Sequence, residues 1–462
     1  MSTATASPLV EALDAQAVAL ARAEAGRSPA SLPSSAGEAL AAMRAAAREA
    51  ARRHGLPTTR QERWRHTSLR ALAARRFEAS ASEAASPDAA NASAIAAALA
   101  HLPASRLVIV NGRFAPALSS LQGLPEGLRL RLFSDVLRDA PAEAAAWLAT
   151  DTGRSDAAFP QWNAALAEDG FVLDVDAGVR IATPLHLVVL GIEDGADRAF
   201  HLRHRIALGA GAELTLTTHQ LAAGAHRHLL NTVLQIELGE AAMLTQARVQ
   251  RESDGATLLQ RTVATLGAKA HYRRLDLELG GALSRHELDV RLAGDSAVLE
   301  ANGVLLADGR RHLDTRLGIE HLARDTRCEL VWRGLGAGRG HAVFHGGILI
   351  AEGADGSHAS LSNKNLLLDD GAEIDTQPVL VIHADDVQAA HGATVGRLDE
   401  AALFYLRARG LPLAEATAML TAAFLREPLA LIDHEALAST LMASLELRLS
   451  ASSFAGGGVS SR

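Results

Sequence analysis

Between about residue 170 and residue 397 the chain alternates short apolar runs with Gly, Asp and Asn, and no helical period persists. A repeat runs through this stretch. GAELTL begins at Gly211, GEAAML at Gly239, GAKAHY at Gly267 and GDSAVL at Gly294, at intervals of 28, 28 and 27 residues. Each unit sets a glycine turn and a small-residue step before alternating strands such as HYRRLDLELGG (271–281). Helical solenoids of this period need recurrent helix faces, which are absent, and propeller blades need about 40 residues per unit. The pattern predicts a right-handed parallel β-helix in a mainly β protein, with Leu214, Leu216, Leu277 and Leu279 pointing into one aliphatic core. GRGHAVFH (338–345) and GAEIDT (371–376) continue the texture with looser spacing.

The ends read differently. Residues 8–54 are rich in Ala, Glu, Arg and Leu, with a break at GRSPASLPSSAG (26–37), which predicts two helices ended by the Gly-Leu-Pro at 55–57. The Ala/Ser-rich residues 78–96 read as mobile. RLVIVNGRFAPALS (106–119) predicts a short strand and an Asn-Gly turn, and 134–150 is helical again. After Arg397, three helices are predicted over 398–410, 411–432 and 435–449, the first with Asp399 at its N-cap and Gly410 at its stop. The expected division is therefore a mainly helical 1–150, a β-helix over 151–397, helices over 398–449 and a flexible tail over 450–462. Leu403, Leu406, Met419 and Phe424 exceed what three short helices need for one another, which suggests a docking face.

Composition narrows the function. A net charge near −8 argues against a nucleic-acid binder, and aromatics at 3% leave an aliphatic core. Lysine occurs only at 269 and 364, a bias toward Arg that carries no functional signal. Cys328 is the single cysteine, so an intrachain disulfide or an all-cysteine metal site is excluded. It reads as a buried structural thiol, with the flanking Arg327 as the one hint of reactivity. No secretory signal and no membrane span are expected, and the chain reads as soluble and cytoplasmic.

The histidine groups HLRHR (201–205) and HRH (226–228) read as solvated strand faces without an acidic partner. Asp369, Asp370, Asp385 and Asp386 read as turn residues. GLGAGRG (334–340) lacks the Gly-Lys-Ser/Thr ending of a phosphate loop, so no ATP site is expected. DDVQAAHGATVG (385–396) is too irregular for a helix and too polar for a plain core strand. Its His391 reads either as an iron donor or as a turn residue ending the solenoid, and the residue alone leaves both open.

Taken together, GLPTTRQERWRHTSL, FPQWNAALAEDGFVLDV, GALSRHELDVRLAG, SNKNLLLDDGAEIDTQPVLVIHADDVQAAHGATVGRLDE and LFYLRARG resemble the SufB/SufD family of iron–sulfur cluster assembly scaffolds, over nearly the whole chain. Gly392 after His391, where the SufB branch carries Glu, and the 55–69 leader point to the SufD branch. The resemblance implies a non-enzymatic scaffold that pairs with SufB through the β-helix and with the SufC ATPase through C-terminal helices; the isolated chain would form a homodimer. It also implies a transient iron–sulfur cluster shared with SufB, with His391 near it. Many chains of that branch carry Cys two residues before the histidine, where this one has Ala389. The rival reading is a β-helix carbohydrate-active enzyme of the polysaccharide-lyase kind. Scarce aromatics, the helical C-terminus and the missing signal peptide oppose it.

Overall fold

The computed structural model describes residues 7–26, 34–81, 89–103, 105–120, 124–150, 158–431 and 434–451. Most of the expected tail lies outside these residues; Ser450 and Ala451 end a helix. The middle of the chain is a parallel β-solenoid of about seven turns. Each turn gives one strand to each of two sheets. The first sheet runs through Phe171–Val175, Arg198–Leu208, Leu229–Leu238, Thr257–Leu266, Leu283–Leu292, His312–His321, His341–Ile350 and Glu373–Ile382. The second runs through Arg180–Ile192, Glu213–Ala223, Met243–Arg251, His271–Glu278, Val298–Ala307, Arg327–Gly336, Ser357–Leu367 and Val387–Gly396.

The repeat has a structural cause, with its first unit shifted. Met243 pairs with Glu213, so the equivalent of Gly239 is Gly209 and not Gly211. A Cβ at Gly239 would stand 2.9 Å from Ala210 N, and one at Gly294 would stand 2.0 Å from Ala268 N. Glycine is demanded there because turns of successive coils stack backbone on backbone.

Leu214 and Leu216 line the lumen with Leu244, Leu258, Leu299, Leu330 and Phe344, as the alternation predicts. Leu277 and Leu279 do not. They are buried on the outer face of the second sheet, beneath Leu425, Leu437, Leu441 and Leu445 of the C-terminal helices. Their neighbours Arg274, Asp276 and Glu278 point inward instead, reaching the opposite sheet through Arg274–His286 (3.1 Å) and Ser284–Glu278 (3.0 Å). The lumen thus carries a charged plug among its aliphatic rungs.

The N-terminal region is tied to the solenoid. Arg106–Val110 extends the second sheet, turning through Asn111 (φ 45°) and Gly112 (φ 83°) into Arg113–Phe114. Leu128–Leu132 extends the first sheet antiparallel to Phe171–Val175. Helices Pro8–Ala25, Ser34–His54 and Ala158–Leu166 cover Val172, Ala199, Leu229 and Leu259 on the first sheet's outer face. The stretch read as mobile is structured where it is described. Glu78–Ala79 pairs with Arg198–Ala199, and helix Ala89–Leu99 buries Ile95 and Leu99 on Val188, Leu190 and Leu221.

The histidine groups are likewise buried, contrary to the solvated faces expected of them. His201, His204, His226 and His228 are each at most 6% exposed. His226 Nε2 lies 2.9 Å from Glu252, an acidic partner brought from the next coil, and His228 Nε2 lies 2.7 Å from the Ile192 carbonyl oxygen. Burial pushes His201 and His204 down to about 3, so both rings are neutral.

After the last coil the chain forms Glu400–Ala408, Leu413–Arg426 and Glu435–Ala451. Asp399 caps the first helix by accepting from Ala401 N at 2.8 Å, and Gly410 follows it at φ 95°. Arg333 anchors the second helix through a two-bonded pair with Glu427 at 2.7 and 2.6 Å.

Candidate functional site

The solenoid is closed at its first end by strands of the N-terminal region. At its other end Glu373–Ile382 and Val387–Gly396 are terminal, each hydrogen-bonded on one side only, to His341–Ile350 and Ser357–Leu367. Val381, Ile382 and Val395 are 41–42% exposed there. Edge strands are usually blunted by charge, proline or a covering element. Pro378 removes one donor from the first edge, whereas Val387–Gly396 contains neither a charge nor a proline.

The stretch around His391 is therefore a strand, and its polarity is that of an outermost rung. In register, His391 follows Leu361 and Leu330, both core residues of the lumen. Its backbone position continues an inward column, and the exposed imidazole stands at the lumen's open mouth. Asn363, Asn365 and Thr376 lie just inside. Asn363 accepts from Thr376 Oγ1 at 2.7 Å, and Asn365 donates to the Thr394 carbonyl oxygen at 3.0 Å. Nothing lies within 4 Å of where a Cβ at Gly392 would be, so the fold itself does not require glycine there.

Cys328 shares a column with this rung, paired in turn to Ala359 and then to Ala389. It lies two strands in, roughly 10 Å behind the edge at the usual strand spacing. The thiol is 1% exposed, 3.3 Å from His321 Nε2, and burial pushes it up to about 12. In this setting it is a protonated, inaccessible group. The turn aspartates behave as turn residues: Asp369 accepts from Gly338 N at 2.6 Å and Asp370 pairs with Arg397 at 2.5 Å.

On the C-terminal helices, Leu403 and Leu406 are half-buried, and Phe424 packs on the solenoid with Arg333 over its ring at 5.9 Å. Met419 is 52% exposed. The larger exposed apolar surface is one that spacing alone did not single out: Phe404 (75%), Tyr405 (57%), Leu413 and Leu447. A signal existed in an aromatic-poor chain, because adjacent aromatics on a helix cannot share one buried face.

A helix-flanked parallel β-solenoid with one sealed end and one open end is the class of protein this geometry defines. Residues 191–424 match the family model described as SUF system FeS cluster assembly, SufBD core domain, and residues 27–187 match SufBD protein N-terminal region. The chain belongs to the SufBD family of iron–sulfur cluster assembly proteins. It is 30% identical to the iron-sulfur cluster assembly protein SufD of Escherichia coli, over 86% of this chain and 90% of that one. A SufBD family protein of Synechocystis sp. is 30% identical over 83% of this chain and 85% of its own. The chloroplastic protein ABCI7 of Arabidopsis thaliana is 25% identical over 69% and 68%. The chain is thus a SufD homologue. Among the described residues no helix is long and apolar enough to cross a membrane.

Proposed function

We propose that the chain is a non-catalytic scaffold subunit in iron–sulfur cluster assembly, joined to a SufB-like chain through its terminal rung and to a SufC-like ATPase through its C-terminal helices. The observation that carries this reading is the unblunted strand Val387–Gly396, with His391 at the mouth of the lumen. A second solenoid presenting a similar edge would satisfy its free backbone groups and cover Val381, Ile382 and Val395. Imidazole is a competent iron donor, and Ala389 leaves no thiol in this strand, so the other ligands of a transient cluster would come from the partner or from small thiols. Phe404, Tyr405 and Met419 offer the ATPase an apolar face on helices that are already anchored by Arg333–Glu427.

The test is reconstitution with SufB and SufC. His391→Ala should leave complex assembly and ATPase activity near wild type while lowering iron and sulfide content several-fold. Cys328→Ser should change loading less. Phe404→Ala with Tyr405→Ala should release the ATPase and spare SufB pairing. Full iron and sulfide loading of the His391→Ala complex would sink the role given to this residue.

A further inference from the structure

Apart from His391, a second group of donors converges where the 62–67 segment crosses the outer face of the first sheet. His66 Nδ1 lies 2.9 Å from Asp375 Oδ2, and His341 Nε2 lies 2.8 Å from the same oxygen. Glu373 adds a carboxylate, and the donor atoms of His341, Glu373 and Asp375 all stand within 4.8 Å of one another. The fold builds this constellation from three places. His341 and Glu373 are paired across adjacent strands, Asp375 shares an outer face with Glu373, and His66 comes from far earlier in the chain. That segment is itself fixed: Thr67 Oγ1 donates to Asp314 at 2.6 Å, and Trp64 lies under Arg285 with the guanidinium 3.7 Å from the ring centre. A cleft of about 290 Å³, lined by Glu62, His66, Asp375 and Gln377 and also by the cationic Arg65 and Arg316, opens beside the group and gives access from solvent.

We propose that His66, His341, Asp375 and Glu373 form a binding site for a divalent first-row transition metal. Two imidazoles and two carboxylates are a mixed nitrogen and oxygen set, which suits iron(II), cobalt(II) or zinc(II) and suits magnesium or calcium poorly. With metal–ligand bonds of about 2.1 Å, cis donors stand about 3 Å apart. The two imidazole contacts with Asp375 already have that separation. In a purely hydrogen-bonded arrangement Asp375 satisfies both rings and Glu373 has no role. A dication takes the place of the two N–H protons that face Asp375, each neutral ring keeping its proton on its other nitrogen; it balances the two carboxylates and gives Glu373 a ligand's place after a side-chain rotation that its exposure permits. Asp375 and Glu373 belong to a terminal strand, so iron(II) is the ion of interest; that choice of ion rests on the function proposed above, whereas the site does not.

The test uses the full chain without a histidine tag, stripped of metal and titrated anaerobically with cobalt(II), zinc(II) and iron(II). One equivalent should bind, with cobalt giving visible ligand-field bands. Glu373→Gln should weaken binding about 10-fold and His341→Gln about 100-fold, and the melting temperature of metal-free Glu373→Gln should be unchanged. Because His391 is intact in both site variants, their loss of binding separates this site from the donor at the lumen mouth. Zinc and cobalt saturation without iron(II) binding would keep the site and overturn iron as its ion. The absence of a one-equivalent phase, or equal affinity in wild type and both site variants, would overturn the proposal.

Discussion

Replacing Asp276 by Asn tests whether the charged plug in the lumen is a structural necessity. Asp276 is fully buried and accepts from Arg274 at 2.8 and 3.0 Å and from Arg248 at 2.9 Å. Burial alone would raise its carboxyl, but the Arg274 and Arg248 guanidiniums prevail and hold it far below the usual carboxylate range. Asn keeps the shape and removes the charge, which leaves Arg248 paired with Glu278 and Arg274 without its carboxylate partner. Stripping one partner from a buried ion cluster costs about 3–5 kcal/mol, whereas replacing the partners together by apolar groups is close to neutral. Urea unfolding of Asp276→Asn should therefore show a lowered midpoint, and Asp276→Leu with Arg274→Met should recover most of the loss. The pH dependence has a definite sign. A depressed carboxyl stabilises the fold above its unfolded value of about 4 and loses that contribution as pH falls toward the folded value. The deficit of Asp276→Asn should accordingly be constant between about pH 5 and pH 8 and shrink only below about pH 4. A deficit under about 1 kcal/mol, or a double variant as unstable as Asp276→Asn, would refute the reasoning.

Burial pushes His201, His204 and His219 down to about 3, so each ring takes up a proton only on unfolding as pH falls below about 6.5. Stability should drop by on the order of 2 kcal/mol per ring between about pH 7 and about pH 5, and the slope of unfolding free energy against pH should exceed these three protons, because burial also pushes His228, His312, His321 and His345 down to about 4. Leu216→Ala and Leu277→Ala should each cost about 2–5 kcal/mol, but only Leu277→Ala should speed amide exchange in Glu435–Ala451, the helix it supports. Cys328, with its thiol pushed up to about 12, should react with thiol reagents at neutral pH only after unfolding, and rapid native-state labelling would contradict its burial.

The glycine repeat, the β-helix and the three C-terminal helices were legible because each depends on local rules, turn sterics, alternation and capping, although the second helix, expected over 411–432, ends at Arg426. Asp399 and Gly410 act as the sequence implies. The direction of alternation was not legible. HYRRLDLELGG announces two unlike faces, but nothing in it says that helices more than 140 residues later will cover the leucines. The same limit hid the His201 and His226 groups, whose partners Asn231 and Glu252 arrive from the next coil. It also hid the meeting of His66 with His341 and Asp375, which needs both the solenoid register and the path of the 62–67 segment.

A coil inside a solenoid is satisfied on both sides, so its sequence can be aliphatic inward and whatever its covering layer demands outward. The last coil has no successor, and inward positions there face an opening. That explains why His391 occupies a column filled by Leu330 and Leu361 in earlier coils. Just inside that opening, Asn363, Asn365 and Thr376 bond to one another and to the Thr394 carbonyl, a second polar cluster in a lumen whose middle already holds the Arg274–Asp276 plug. A solenoid that merely stopped would be expected to blunt this rung, as a bare parallel edge invites aggregation. Val387–Gly396 carries no such device. Its exposed valine, its open space at Gly392 and its free backbone are tolerable in a folded protein when a specific partner covers them, which is why the proposed pairing with a SufB-like chain is placed at this rung.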